Sequence, residues 1–223
     1  MSQAASQVQN FIAELDASNQ VALDRLGKAS TAGEASEDLT VPKLLQLALK
    51  NELEATDIAA YWMIDTAELD VRLALARQVG DEAKHYRLIE VRLRAMGINT
   101  DTINPLANGY SPLFSYLKGL TTTVERIAAG QFTRESIAII RNRLFADYCE
   151  SRGDVETAAL YKEIIQPDEE HHHNLGRKLL LKYATTAETQ ELARNAAART
   201  LQLAEEIQEM VRLKAGISRA PGC

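Results

Sequence analysis

Two short stretches carry the residue types for metal chemistry. Asp81-Glu82-Ala83-Lys84-His85 and Asp168-Glu169-Glu170-His171-His172 each set a Glu and a His three residues apart. Both lie in runs with helical periodicity, where residues i and i+3 share a face. A carboxylate and an imidazole so placed can grip one cation together. Two such pairs, with an inward Glu on each of two further helices, make a six-ligand box for two metal ions inside a helical bundle. Four carboxylates balance two divalent ions, and that density of charge does not persist in a core without a counter-charge. Imidazole with carboxylate suits first-row divalent metals.

The further carboxylates follow from the helical period of about 100° per residue. Counted from Glu52, the residues Leu45, Ala48, Ala55, Ala59 and Met63 share one stripe, so Glu52 points inward. Glu54 falls with Lys50, Asp57 and Tyr61 and is expected outward. Counted from Glu135, Val124, Ala128, Phe132, Ile139, Ala146 and Cys149 share its face, with Glu125 as the reserve carboxylate. Three consecutive histidines leave the last register open, and periodicity decides it. Ala158, Ile165, Gly176, Leu179, Leu180 and Tyr183 side with Glu169 and His172. Asp168/His171 is the runner-up, and Glu170/His173, with Lys162, Gln166 and Arg177, faces water. The metal set is therefore Glu52, Glu82, His85, Glu135, Glu169 and His172. Ligating histidines usually donate their other N–H to a carboxylate, and Asp81 and Asp168 are placed to orient the histidine of the opposite helix.

The elements that must position these groups are helices of about 41–64, 65–96, 112–151 and 155–184, flanked by accessory helices of about 6–27 and 186–216. Thr40, Asp65 and Asp154 are the cap residues, and Gly97 and Gly153 the stops. Pro167 removes a helical hydrogen bond, so a kink or bulge is expected beside it. Ser30–Asp38 reads as a linker, Gly97–Ser111 as a crossover long enough to run the length of a helix, and Ser218–Cys223 as a frayed tail. A two-fold echo runs through the chain: Glu52 precedes Glu82 by 30 residues and Glu135 precedes Glu169 by 34. The expected fold is all-α, an antiparallel four-helix core at 41–184 within a single domain covering 1–223.

The 223 residues carry a net charge of −6, which gives no support to a nucleic-acid surface. No apolar run approaches the ~20 residues of a membrane span. Cys149 and Cys223 form no CxxC, which speaks for a reducing compartment and against a disulfide framework. Cys149 reads as a small core residue, and Trp62 and the tyrosines (Tyr61, Tyr86, Tyr148 and Tyr183) as packing rather than redox groups. With no signal peptide at the N-terminus, a cytoplasmic protein is expected.

The order Glu52, Glu82-x-x-His85, Glu135, Glu169-x-x-His172 resembles the ferritin-like di-iron carboxylate superfamily over about Val41–Tyr183. That superfamily includes bacterioferritins, rubrerythrins, ribonucleotide reductase small subunits, bacterial multicomponent monooxygenases and tRNA hydroxylases. Lack of CxxC pairs separates the chain from a full rubrerythrin. A His in both halves is nearer the oxygenase, oxidase and bacterioferritin-like branches. The resemblance implies two iron ions, with manganese or a mixed pair as alternatives. Glu52, Glu82 and His85 would serve one ion and Glu135, Glu169 and His172 the other, with Glu82 and Glu169 able to bridge. It further implies dioxygen activation toward an unknown small organic substrate, an electron-donor protein, and a homo-oligomer, a dimer by preference. The alternatives are a ferroxidase or iron-storage protein and a metal-free helical interaction module.

Overall fold

The computed structural model describes residues 3–31, 40–215 and 221–222, and every regular element among them is helical. Helix α1 (Gln3–Thr31) precedes α2 (Val41–Asp65), α3 (Leu69–Ala95) and a short α4 (Pro112–Lys118). Helix α5 (123–151) is α-helical over Thr123–Ile127 and Glu135–Ser151 and π-helical over Ala128–Arg134 between them. Helix α6 (155–183) has the same build, Val155–Leu160 and Gln166–Tyr183 flanking a π-helical Tyr161–Ile165. Helix α7 (Ala187–Ala215) follows. No helix among the described residues is long and apolar enough to cross a membrane. The expected linker at 30–38 lies mostly outside the described residues; α1 itself runs on to Thr31.

Two apolar clusters fix the directions of the helices. One gathers Ile58 and Trp62 of α2, Val71 and Leu75 of α3, Phe132 of α5 and Leu179 and Leu180 of α6. The other gathers Leu45 and Leu49, Ile89 and Leu93, Phe145 and Cys149, and Tyr161 and Ile165. Chain order through the clusters makes α2 and α6 run one way and α3 and α5 the other. Large side chains such as Trp62, Phe132 and Phe145 are wholly buried there, each contributing about 1.5–3 kcal/mol. Burial also pushes the Cys149 thiol up to about 12, as befits an inert core cysteine.

Because α3 ends at the second cluster and α4 starts at the first, the chain must travel back between them. It does so alongside α2. Lys50 donates to the Gly109 carbonyl, the Tyr110 hydroxyl to Asp57, and Ser111 to Glu54. This corrects the outward placement of Glu54. Its carboxylate is buried under the crossover, accepting from Ser111 N at 2.7 Å and from Ser111 Oγ.

Other expectations about helix ends need correction. The helix expected over 112–151 is broken after Lys118, where Gly119 caps α4 and Thr122 opens α5. Glu125 is spent in that opening, in a reciprocal capping box with Thr122, and is not in the site. Asp65 ends α2 and pairs with Arg126 instead of capping α3. Thr40 sits at the cap position but makes no capping hydrogen bond, whereas Asp154 accepts from Thr157 N as expected. The bulge expected near Pro167 is the π stretch Tyr161–Ile165; it contains Glu163, whose carbonyl the proline leaves without its usual donor.

Accessory helices α1 and α7 pack on the outside of α5. Small residues permit two close approaches. Gly130 lies against the Trp62 ring, where a Cβ would fall 2.6 Å from Cζ3. Gly176 of α6 lies on the π stretch of α5, where a Cβ would fall 2.7 Å from the Gln131 carbonyl carbon.

Candidate metal centre

Between the two apolar clusters lies a polar layer. Glu52 of α2, Glu82 and His85 of α3, Glu135 of α5 and Glu169 and His172 of α6 are each 3 % exposed or less. Each Glu follows an apolar row by one helical turn, as Glu52 follows Ala48 and Glu169 follows Ile165, so the core stripe carries it inward. The structure brings the six together in two overlapping groups: Glu52, Glu82, His85 and Glu169, and Glu82, Glu135, Glu169 and His172. Within each group one oxygen or nitrogen per residue lies within 4.8 Å of the others. Glu82 and Glu169 belong to both.

The two histidines have mirrored surroundings. His85 Nδ1 is 3.3 Å from Glu82 Oε2 and 3.5 Å from Glu52 Oε2, while its Nε2 is 3.1 Å from Asp168 Oδ2 of the facing helix. His172 Nδ1 is 3.5 Å from Glu169 Oε2 and 3.7 Å from Glu82 Oε1, while its Nε2 is 3.1 Å from Asp81 Oδ2. An Nε2–H donated to aspartate leaves Nδ1 turned toward the glutamates. Outside this ring Lys84 bonds Asp168 and reaches Asp81, and Arg77 bonds Asp81. Burial works against ionisation of Asp168, but Lys84 and His85 outweigh it and hold the carboxyl below its usual range.

The neighbouring histidines stand apart. His171 is half-buried on the outer side. His173 does not face water as expected: its ring stacks on Phe132 and its Nδ1 lies 2.8 Å from the Phe132 carbonyl and 2.9 Å from Ser136 Oγ.

Several groups around the carboxylates escape the sequence reading. Gln78 donates to Glu135 Oε1 at 2.6 Å and Glu82 Oε1 at 3.3 Å; it sits one turn before Glu82 on the same stripe, which was its available signal. Arg134 is buried with Nη1 3.7 Å from Glu135 Oε1 and Nη2 bonded to the Asn51 carbonyl. Tyr161 lies two turns before Glu169, fully buried and with its hydroxyl unpartnered. Burial first, then the charges of Glu52, Cys149 and Glu169, push its phenol well up.

Four carboxyls packed this closely cannot all ionise without a cation. Burial raises Glu52 to about 7 and Glu169 to about 8, and together with the charges of Glu169 and Glu82 it lifts Glu135 well above the usual range. Burial opposes ionisation of Glu82 too, but the His85 hydrogen bond and the charges of His172, His85 and Arg134 hold it at about 2. Burial would lower His85, yet Glu52 and Glu82 hold it up to about 12. Two further atoms are open to a cation: Glu169 Oε2 and His172 Nδ1 are buried and make no hydrogen bond. The donor set, four carboxylates and two imidazoles, fits a pair of hard-to-borderline divalent ions.

No model of a known protein family matches the chain, and neither a curated protein nor a solved structure is detectably similar to it.

Proposed function

We propose that this chain is a ferritin-like di-metal carboxylate protein, and that it acts as an oxidoreductase that activates dioxygen toward an organic substrate. The observation that carries this reading is the crossed pairing of His85 with Asp168 and His172 with Asp81, which turns both Nδ1 atoms onto shared glutamates. Glu52, Glu82 and His85 would hold one ion and Glu135, Glu169 and His172 the other, with Glu82 and Glu169 common to both. Iron is the preferred metal, manganese or a mixed pair the alternatives; two such ions when bound supply Lewis acidity and electrons for reducing dioxygen. The chain's own residues position and shield. Asp81 and Asp168 hold the Nε2 protons, Gln78 fixes the Glu135 carboxylate, and Arg134 offsets part of the negative charge. The apolar clusters at either end keep bulk water away from the carboxylates. A single cytoplasmic domain, a homodimer and an electron-donor protein belong to the same proposal.

Anaerobic loading with ferrous ion followed by metal analysis tests it. Two ions per chain are expected, and at most one in Glu82→Ala and in Glu169→Ala. Two full equivalents in both variants would refute the assignment, and none in the natural chain would favour an interaction module. A second reading, a ferroxidase or storage protein with iron as substrate, draws on the smallness of the cavity that borders Glu52, Glu82, Glu135 and Glu169. A large closed cage on gel filtration would favour it.

A further inference from the structure

The face of the carboxylate layer between α2 and α5 is covered from an unexpected quarter. Pro221 and Gly222, in the stretch expected to fray, are both buried. Asn51 Nδ2 of α2 donates to the Pro221 carbonyl at 2.6 Å, and Gly222 N donates to Asn142 Oδ1 of α5 at 2.7 Å. Gly222 lines the same small cavity as Glu52, Glu82, Glu135, Glu169 and Arg134. The fit is tight. Gly222 has φ +75, and a Cβ there would come within 3.0 Å of Asn51 Cβ.

The two ends of the layer and its α3/α6 side are closed by packed side chains. Apolar clusters lie beyond each end, and the α3/α6 side is tied by Asp81, Asp168, Lys84 and Arg77. On the α2/α5 side the helices are bridged by the Arg134 contact to the Asn51 carbonyl and by the dipeptide itself. Among the described residues the dipeptide is tied by two neutral hydrogen bonds, which are individually weak in water. Asn142 Nδ2 is buried and unpartnered even with the dipeptide seated, so this mouth keeps hydrogen-bonding capacity for another occupant.

We infer that Asn51, Asn142 and Arg134 frame the entrance to the carboxylate layer, and that Pro221–Gly222 is a removable stopper seated in it. The mouth is built for an amide: one side-chain N–H meets a carbonyl and one side-chain oxygen meets an N–H. Ions and small reactants reach the glutamates when the stopper leaves. This inference rests on the metal-binding reading above.

Cobaltous ion, mixed in stopped flow with the full-length chain, reports entry through its visible absorption without any turnover. Gly222→Val and Asn51→Ala loosen the same contact from its two sides. Each should take up cobalt about tenfold faster than the natural chain, Asn51→Ala through one lost neutral hydrogen bond and Gly222→Val through the clash with Asn51 Cβ, and reach the same two-ion endpoint. Far-UV circular dichroism checks that Gly222→Val folds; if it does not, Asn51→Ala decides alone. Uptake at the natural rate in the folded variants overturns the stopper and leaves the metal reading standing. Failure of every chain to bind cobalt removes the metal reading, and this inference with it.

Discussion

The two halves of the site are built from similar residues on different backbones. Glu52, Glu82 and His85 stand on α2 and α3, which are α-helical throughout. Glu135, Glu169 and His172 stand on α5 and α6, each of which passes through a π-helical stretch shortly before its glutamate. Hydrogen bonding divides the same way. His85 Nδ1 bonds Glu82, whereas His172 Nδ1 bonds nothing. Among the described residues, every buried side-chain nitrogen or oxygen without a hydrogen-bond partner belongs to α5 or α6: atoms of Gln131, Asn142, Tyr161, Gln166, Glu169 and His172. Unpartnered donors and acceptors thus gather on the helices with π stretches, although each half offers a candidate ion site. Widened helical turns near functional groups are a recurring way of turning side chains out of register.

The sharpest test of this contrast compares two glycines. Gly176 presses on the π stretch of α5, while Gly80 of α3 is exposed, with nothing within 4 Å of the place a methyl would take. Gly176→Ala should cost about 2–3 kcal/mol through overpacking, lowering the thermal midpoint by roughly 4–12 °C. Gly80→Ala should instead stabilise by about 0.5–1 kcal/mol through helix propensity. Equal effects in calorimetry would erase the distinction between the halves. A smaller effect is expected at the aspartates. Asp81→Ala and Asp168→Ala should each weaken metal binding by about 10–100-fold, because each removes the carboxylate that holds a histidine Nε2–H. Competition with a coloured chelator measures both, and an unchanged affinity in either variant would contradict the crossed pairing. The smallest effect belongs to His173→Ala. It should leave metal content unchanged, because its Nδ1 is engaged with Phe132 and Ser136; half occupancy by elemental analysis would mean the histidine register is wrong.

Much of this arrangement was legible in the chain. Helical period alone turns Glu52, Glu82, His85, Glu135, Glu169 and His172 to one side of their helices, and the structure brings those side chains together. It also separates His172 from its two neighbours. The bulge in α6 was legible because a proline announces it, whereas the π stretch of α5 contains no proline and interrupts no apolar row. The break at Gly119–Thr122 was hidden for a related reason: apolar residues on both sides, Leu117 and Val124, keep a helical appearance across it. Glu54 was misplaced because a helical wheel knows nothing of a crossover laid over its polar side. Arg134 reaches the Asn51 carbonyl on α2, a contact that spacing within α5 does not reveal, whereas Gln78 stands one turn before Glu82 and was open to the same helical count.

Gly176 has a wider consequence. The missing methyl lets α6 sit with Gln131 and Phe132 of α5 directly against its backbone. Such a contact works as an alignment notch. Turn α6 by one residue, so that Leu175 or Arg177 comes to the notch, and a bulky side chain collides with main chain. Among three adjacent histidines, then, the choice of which one looks inward is enforced one turn away, by an atom that is not there.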